Sequence, residues 1–194
     1  ICVWPSYDYE ADDILGSAAV LYNSKPEVEQ VIICSPDKDL AQVVLENQIV
    51  CWDRKNNLIM DEDKVLSKFG VAPDSIPDYL ALVGDSADGI PGIPKWGQKS
   101  ASTLLFRYKI IDDIPQDSLL WDVQVRGSSG LSMSLESNRS KARLYKDLAT
   151  LKLDINVSED LEDLRWKGAH ENLYIPLCVE LGLESLSRSV GRWS

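Results

Sequence analysis

Hydrophobic residues recur at i, i+3, i+4 and i+7 in three stretches: Ala11/Ile14/Leu15/Ala18, Ile76/Tyr79/Leu80/Val83 and Ala101/Leu104/Leu105/Tyr108. That spacing lines one face of a helix, so each stretch predicts an amphipathic helix. Between the first two lies Val31-Ile32-Ile33-Cys34, a β-branched run that predicts a short buried strand. Ile49-Val50-Cys51-Trp52 and Leu58-Ile59-Met60 flank the turn-prone Asp53-Arg54-Lys55-Asn56-Asn57 and predict a hairpin. Asp61 to Phe69 opens on acidic residues and is followed by Gly70, the pattern of a short helix. Helix alternating with strand argues for an α/β layer with a largely parallel sheet. After about residue 75 the pattern turns mostly helical. Ser128-Ser129-Gly130 predicts a loop and Leu135 to Leu151 a helix; Leu173 to Leu181 predicts another, which Pro176 interrupts unless it sits in the first turn. The expected domains are therefore 1–74 and 75–194.

Charge divides the chain at a similar place. Residues 1–92 hold 17 acidic and 6 basic residues, whereas residues 93–194 hold 14 of each. From Lys95 to Lys152 basic residues outnumber acidic ones by 10 to 6. An acidic first part followed by a mildly basic stretch suits solvated faces, and equally a metal-binding part followed by a polyanion-binding part. No apolar run reaches the roughly 18 residues of a membrane span, and the opening Ile1-Cys2-Val3-Trp4-Pro5 is too short and uncharged to be a secretion signal. Cys2, Cys34, Cys51 and Cys178 are scattered and His170 is the only histidine, which leaves no zinc-type ligand grouping. Three of the cysteines lie in apolar surroundings, which suits a reducing, intracellular setting.

Three acidic groups stand apart. Glu10-Ala11-Asp12-Asp13 opens a helix, Asp37-Lys38-Asp39 follows the strand at Val31, and Asp85-Ser86-Ala87-Asp88 follows the helix from Ser75. Each can be read as a helix cap or a turn. Two of them, however, sit at ends of apolar elements, where open α/β sheets place ligand crevices. Seven carboxylates in one pocket are tolerable only with cations, because two like charges ~4 Å apart repel by about 4 kcal/mol at an effective dielectric near 20. Oxygen-only ligands select hard ions, so a pair of Mg²⁺ or Mn²⁺ ions is the expected guest, suited to phosphodiester hydrolysis.

Asp88-Gly89-Ile90-Pro91-Gly92-Ile93-Pro94-Lys95-Trp96-Gly97-Gln98-Lys99-Ser100 joins two of the amphipathic helices. Its glycines let backbone amides approach a ligand, its prolines stiffen the approach, and the helix that follows aims free N–H groups out of the loop. Lys95 and Lys99 flank it. A phosphate-backbone grip by Gly92, Lys95, Gly97, Lys99 and Ser100 is the functional reading; an ordinary interhelical loop is the plain one. The segment is not a Walker loop, since its lysine comes one residue too late.

In order, Tyr9-Glu10-Ala11-Asp12-Asp13, Asp37-Lys38-Asp39-Leu40, Phe69-Gly70-Val71, Ile76 to Asp88 and Ile90-Pro91-Gly92 resemble the 5′–3′ exonucleases. That family includes the 5′ nuclease domain of bacterial DNA polymerase I, its free-standing relatives and, more distantly, the flap endonucleases. The resemblance is strong over residues 5–110 and looser to about Leu186. It implies a PIN-like α/β nuclease core, here partial, followed by a helical region with a helix-three-turn-helix DNA-binding motif. It implies that Glu10, Asp12, Asp13, Asp37, Asp39, Asp85 and Asp88 hold a metal pair, with Asp12, Asp13, Asp37 and Asp39 catalytic. Gly92, Lys95, Gly97, Lys99, Ser100 and Lys38 are then DNA contacts, and the hairpin can hold K⁺ on its carbonyls. Asp8, Gly89 and Lys95-Trp96 depart from the family pattern, which more often has glycine, asparagine and Gly-Ile there. The family's earlier aspartate-bearing strand and basic arch are not found, so the chain is expected to be a fragment, inactive alone.

The expected function is thus Mg²⁺-dependent 5′–3′ exonuclease or 5′-flap endonuclease action on DNA, by a monomer in a DNA-containing compartment, with a polymerase attached or as partner. The alternative is a non-catalytic module that binds DNA structure.

Overall fold

The computed structural model describes residues Ile1–Ser194 and resolves two compact units. The larger is Ser6–Val157; the smaller joins Ile1–Pro5 to Ser158–Ser194. The larger unit runs on through residue 75, where the helix that begins there shares a core with elements on both sides of it.

In the larger unit α1 (Ala11–Asn23) leads to β1 (Val31–Ile33), a 3-10 turn (Asp39–Val43), and the hairpin of β2 (Ile49–Asp53) and β3 (Leu58–Met60). The sheet order is β1-β2-β3: β1 and β2 are parallel with Val31 opposite Ile49, and β2 and β3 are antiparallel with Cys51 opposite Met60. Asp53 closes the hairpin turn by accepting the N–H groups of Lys55 and Asn56. Only one face of β1 is covered: Ile33 is buried, while Ile32 is 48% exposed and Cys34 lies in the open. The strand expected to be buried therefore alternates, as side chains do when a single layer covers the sheet. Of the cysteines, Cys51 and Cys178 are buried and Cys2 is half-buried.

The helix predicted at Asp61 runs as α2 (Glu62–Phe69), with Asp61 accepting the Lys64 N–H at its start and Gly70 in the left-handed region at its end. Next, α3 (Ile76–Val83) lies at the centre, with Ile76, Ala81 and Leu82 fully buried. Ile76 and Leu82 each contribute about 1.5–3 kcal/mol by leaving water, and the methyl of Ala81 less. Against α3 pack α4 (Gln98–Tyr108) and α6 (Arg139–Ala149). Asp78, 1% exposed, ties this layer together. Its Oδ1 accepts the Ile111 N–H at 2.8 Å, and Lys146 Nζ stands 2.9 Å from its Oδ2.

Two expectations after residue 120 need correction. Ser128-Ser129-Gly130 is not a loop but the first turn of α5 (Ser128–Glu136), whose start is set by Gly127 in the left-handed region. Burial of Leu131 and Leu135 holds that helix in place. The single helix expected over Leu135 to Leu151 is instead the end of α5 and all of α6, broken at Ser137 and Asn138. Beyond α6 the chain returns along α1: Gln42 brackets it at Ala149 O and Leu151 N, and Ser17 at Lys152 O and Ile155 N.

The smaller unit holds α7 (Leu161–Leu164), α8 (Glu171–Glu180) and α9 (Glu184–Ser187). Pro176 lies inside α8, not in its first turn, and the helix runs through it. Trp4 donates its indole N–H to Glu159 at 2.9 Å, and Tyr174 meets Trp193 edge to face.

Candidate metal centre and nucleic-acid interface

Two loops bring the carboxylates together. After β1, Ser35 Oγ accepts the Asp37 N–H and Asp37 Oδ1 accepts the Asp39 N–H, at 3.2 and 3.0 Å. These local bonds curl the chain into the 3-10 turn, whose buried Leu40, Ala41 and Val43 anchor Asp39 to the core. The second loop follows α3. Gly84 and Gly92 both have positive φ, and a Cβ built on Gly92 would stand 2.6 Å from Gly84 N. Only bare backbone permits that contact. Asp85 and Ile90 then exchange two N–H···O bonds of 2.7 Å, and Asp85 Oδ1 accepts the Ala87 N–H.

The result is a triad. Asp39, Asp85 and Asp88 offer carboxylate oxygens that all lie within 4.8 Å of one another. Asp85 is buried, Asp39 half-buried and Asp88 exposed, so the group opens to solvent on one side. Lys38 sits among them: its ammonium pairs closely with Asp85 and lies 3.6 Å from Asp88 Oδ2 and 3.7 Å from Asp39 Oδ1.

Electrostatics extend the group. Burial pushes the Asp39 carboxyl up to about 6; Lys38 opposes this, while Asp37, Asp88 and Asp85 add to it. Asp12 is also raised, by burial first and then by Asp37, Glu10, Asp13 and Asp88. Burial opposes the Asp85 charge too, yet Lys38 and the Ala87 N–H hold that carboxyl below its ordinary range. The residues expected as ligands therefore share one field. They differ in what else they do. Asp13 accepts main-chain N–H groups from Lys152 at 2.9 Å and from Glu10 at 3.4 Å, so it also fixes the chain returning along α1.

The donor set fits a hard divalent ion. Asp39 Oδ1 is buried and accepts no hydrogen bond, an orphan of the kind a cation satisfies. Three carboxylates against one ammonium leave a local excess of two negative charges, and oxygen-only ligands suit Mg²⁺ or Mn²⁺.

A second site lies at the start of α4. Gly97 caps that helix, and Ser100 closes the cap by donating to Gly97 O while accepting the Gly97 N–H. Lys95 adopts φ 73°, a left-handed conformation that glycine adopts most readily, and Trp96 is buried with its indole N–H on Leu131 O. Those two contacts give the unusual Lys95-Trp96 pair its physical sense: one residue turns outward and the next pins the hairpin to α5. A cleft of about 600 Å³ opens here, lined by Lys95, Gly97, Lys99 and Ser100 on one side and Gln124 and Arg126 on the other. Lys95, Lys99 and Arg126 have no carboxylate within salt-bridge distance, whereas Arg107, Arg139, Arg143 and Lys146 nearby are all paired. The sequence reading did not single out Arg126, because Ser128-Ser129-Gly130 after it has a loop composition and nothing there marks the helix start that the structure shows. Gly92, in contrast, serves the packing against Gly84 and is not part of the cleft.

Comparison with known proteins agrees with this architecture. The profile described as 5′-3′ exonuclease, N-terminal resolvase-like domain, matches residues 1–70, and that described as 5′-3′ exonuclease, C-terminal SAM fold, matches residues 71–172. The chain belongs to the 5′–3′ exonuclease family. It is 37% identical over 185 residues to a 5′-3′ exonuclease of Aquifex aeolicus, covering 95% of this chain and 60% of the relative. It is 36% identical over 156 residues to a 5′-3′ exonuclease of Buchnera aphidicola, covering 80% and 54%, and 37% identical over 163 residues to DNA polymerase I of Pseudomonas aeruginosa, covering 80% and 17%. The chain thus spans little more than half the length of the free-standing relatives. Among solved structures, T5 5′-exonuclease with bound divalent zinc ions superposes with a TM-score of 0.62 at 14% identity, over 77% of this chain and 52% of that one. A T5 flap endonuclease complex with DNA and metal ions gives 0.61 at 15% identity, over the same shares. At such identities the likeness is one of fold.

Proposed function

We propose that this chain supplies the metal centre and the DNA grip of a divalent-metal-dependent 5′ nuclease, which hydrolyses DNA phosphodiester bonds at 5′ ends or 5′ flaps. The observation that carries the reading is the convergence of Asp39, Asp85 and Asp88 from two separate loops. Glu10, Asp12, Asp13 and Asp37 complete the ligand set around two Mg²⁺ or Mn²⁺ ions, with Asp12, Asp13, Asp37 and Asp39 nearest the chemistry. Such ions supply electrophilic catalysis and neutralise charge during phosphodiester hydrolysis. The side chains themselves hold the ions and fix where a scissile phosphate can sit. Lys38 adds a positive charge on the approach to that phosphate.

DNA backbone is gripped at the cleft beside α4. Lys95, Lys99 and Arg126 carry unpaired charge for phosphates, while Gly97 and Ser100 shape the helix start that faces them. Carbonyls of the Gly92 hairpin offer a seat for K⁺. A polymerase, attached or separate, is the natural partner, since relatives of this chain include DNA polymerase I.

A fluorescent 5′-flap duplex titrated with Mg²⁺ tests the reading, with the chain joined to the segment that carries the family's further aspartate strand and arch. Metal-dependent cleavage that disappears in Asp12→Asn and Asp37→Asn, with DNA binding retained, is the expected result. Tight binding without cleavage at any metal concentration, even with that segment supplied, would favour a DNA-structure-binding module.

A further inference from the structure

We infer that the Lys38 ammonium is the built-in counter-ion of the Asp39–Asp85–Asp88 triad, and that it must leave its seat when a divalent cation is bound there. The inference rests on the proposed metal centre but concerns a residue of this chain. Nζ pairs closely with Asp85 and stands 3.6 and 3.7 Å from oxygens of Asp88 and Asp39. Mg²⁺ bonds its oxygen ligands at about 2.0–2.1 Å, so an ion shared by these three carboxylates would lie on top of the present ammonium position.

Two features make the exchange workable. The Lys38 side chain is 32% exposed, whereas that of Asp85 is 4% exposed, so the lysine has solvent to move into and the aspartate does not. Asp85 is held by its Ala87 bond and by the paired backbone of Ile90. The mobile partner of the pair is therefore the cation. Without it, the buried Asp85 carboxylate of the metal-free protein would be uncompensated, a costly state. Lys38 thus preserves the triad's geometry until a metal arrives. Once displaced, its ammonium stays tethered between Asp37 and Asp39, at the edge of the centre, free to meet a substrate phosphate.

The test compares wild type with Lys38→Met, which keeps the aliphatic stem and removes the charge, and with Lys38→Arg, which keeps the charge. Mn²⁺ affinity is read from the paramagnetic resonance of the free ion, and thermal stability is read in EDTA and in saturating Mn²⁺. Lys38→Met should bind Mn²⁺ about tenfold more tightly, since no competing cation occupies the triad. It should also melt at a lower temperature in EDTA and gain more from Mn²⁺ than wild type does. Lys38→Arg should stay near wild type in affinity. A lysine with a merely structural role would lower stability without tightening metal binding. Unchanged or weaker Mn²⁺ affinity in Lys38→Met, with binding still lost in Asp85→Asn, overturns the counter-ion alone. Absence of Mn²⁺ binding in wild type overturns the metal centre and this inference together.

Discussion

At the residue scale, the pH behaviour of Asp39 gives the most specific expectation. Its folded-state carboxyl titrates near 6 instead of the ordinary 3.8, because burial and neighbouring carboxylates oppose its charge. For an acid raised in this way, the stability contribution is fully present below the unfolded value and is lost as pH rises through the folded one. In EDTA, Asp39→Asn should therefore be more stable than wild type at pH 7.5, by at most about 3 kcal/mol. Near pH 4 the two should melt together. With saturating Mg²⁺ the order should invert at neutral pH. Denaturation curves at several pH values, with and without metal, check all three statements. Asp12 and Asp13 looked alike in the sequence, as consecutive acids opening a helix. The structure separates them, because only Asp13 accepts main-chain N–H groups from Lys152 and Glu10. Asp13→Ala should cost about 0.5–1.5 kcal/mol of stability in EDTA, the net worth of such bonds where water can take over the freed donors. Asp12→Ala should leave that stability intact or raise it, and weaken Mn²⁺ binding. The bond from Lys152 comes from a segment 139 residues away, and no local pattern announces it.

At the scale of elements, the Gly84–Gly92 crossing and the cleft beside α4 make different demands. Gly92→Ala places a Cβ 2.6 Å from backbone at positive φ, so it should destabilise by about 2 kcal/mol or more and disturb the triad. Gly97→Ala meets nothing within 4 Å, and its φ of −138° suits any residue, so its folding stability should fall by less than about 1 kcal/mol, the cost of alanine at a helix N-cap. Thermal melts of the two variants distinguish these outcomes. The cleft is a separate matter of charge. Lys99→Ala and Arg126→Ala should each weaken DNA binding irrespective of base sequence, and each should reduce the slope of log K against log salt by about 0.9. An unchanged slope for either variant removes that residue from the phosphate grip. Helices with strong apolar spacing or clear caps were legible: α2 and α3 lie where the pattern put them. α5 was not, because Ser128-Ser129-Gly130 has a loop composition, and only burial of Leu131 and Leu135 makes it helical. Pro176 within α8 is likewise invisible to a rule based on backbone donors.

For the whole molecule, the uneven charge along the chain finds a structural counterpart. Acidic residues of the first half meet around the triad, and unpaired cations of the second half line the cleft at α4. Both features lie in the unit Ser6–Val157, whose core runs through α3 from one to the other. The order of motifs was enough to suggest the family and the site. Three-dimensional pairing was not: which cations are neutralised, which carboxylate caps a returning chain and where the compact units divide all depend on contacts between distant residues. Diffraction from crystals soaked in Mn²⁺ tests the metal centre most directly, since anomalous scattering locates the ion without reference to activity. The account predicts a strong anomalous peak within about 2.5 Å of carboxylate oxygens of Asp39, Asp85 or Asp88, absent in Asp85→Asn. Saturating Mn²⁺ that leaves the triad empty while occupying other carboxylates would contradict it.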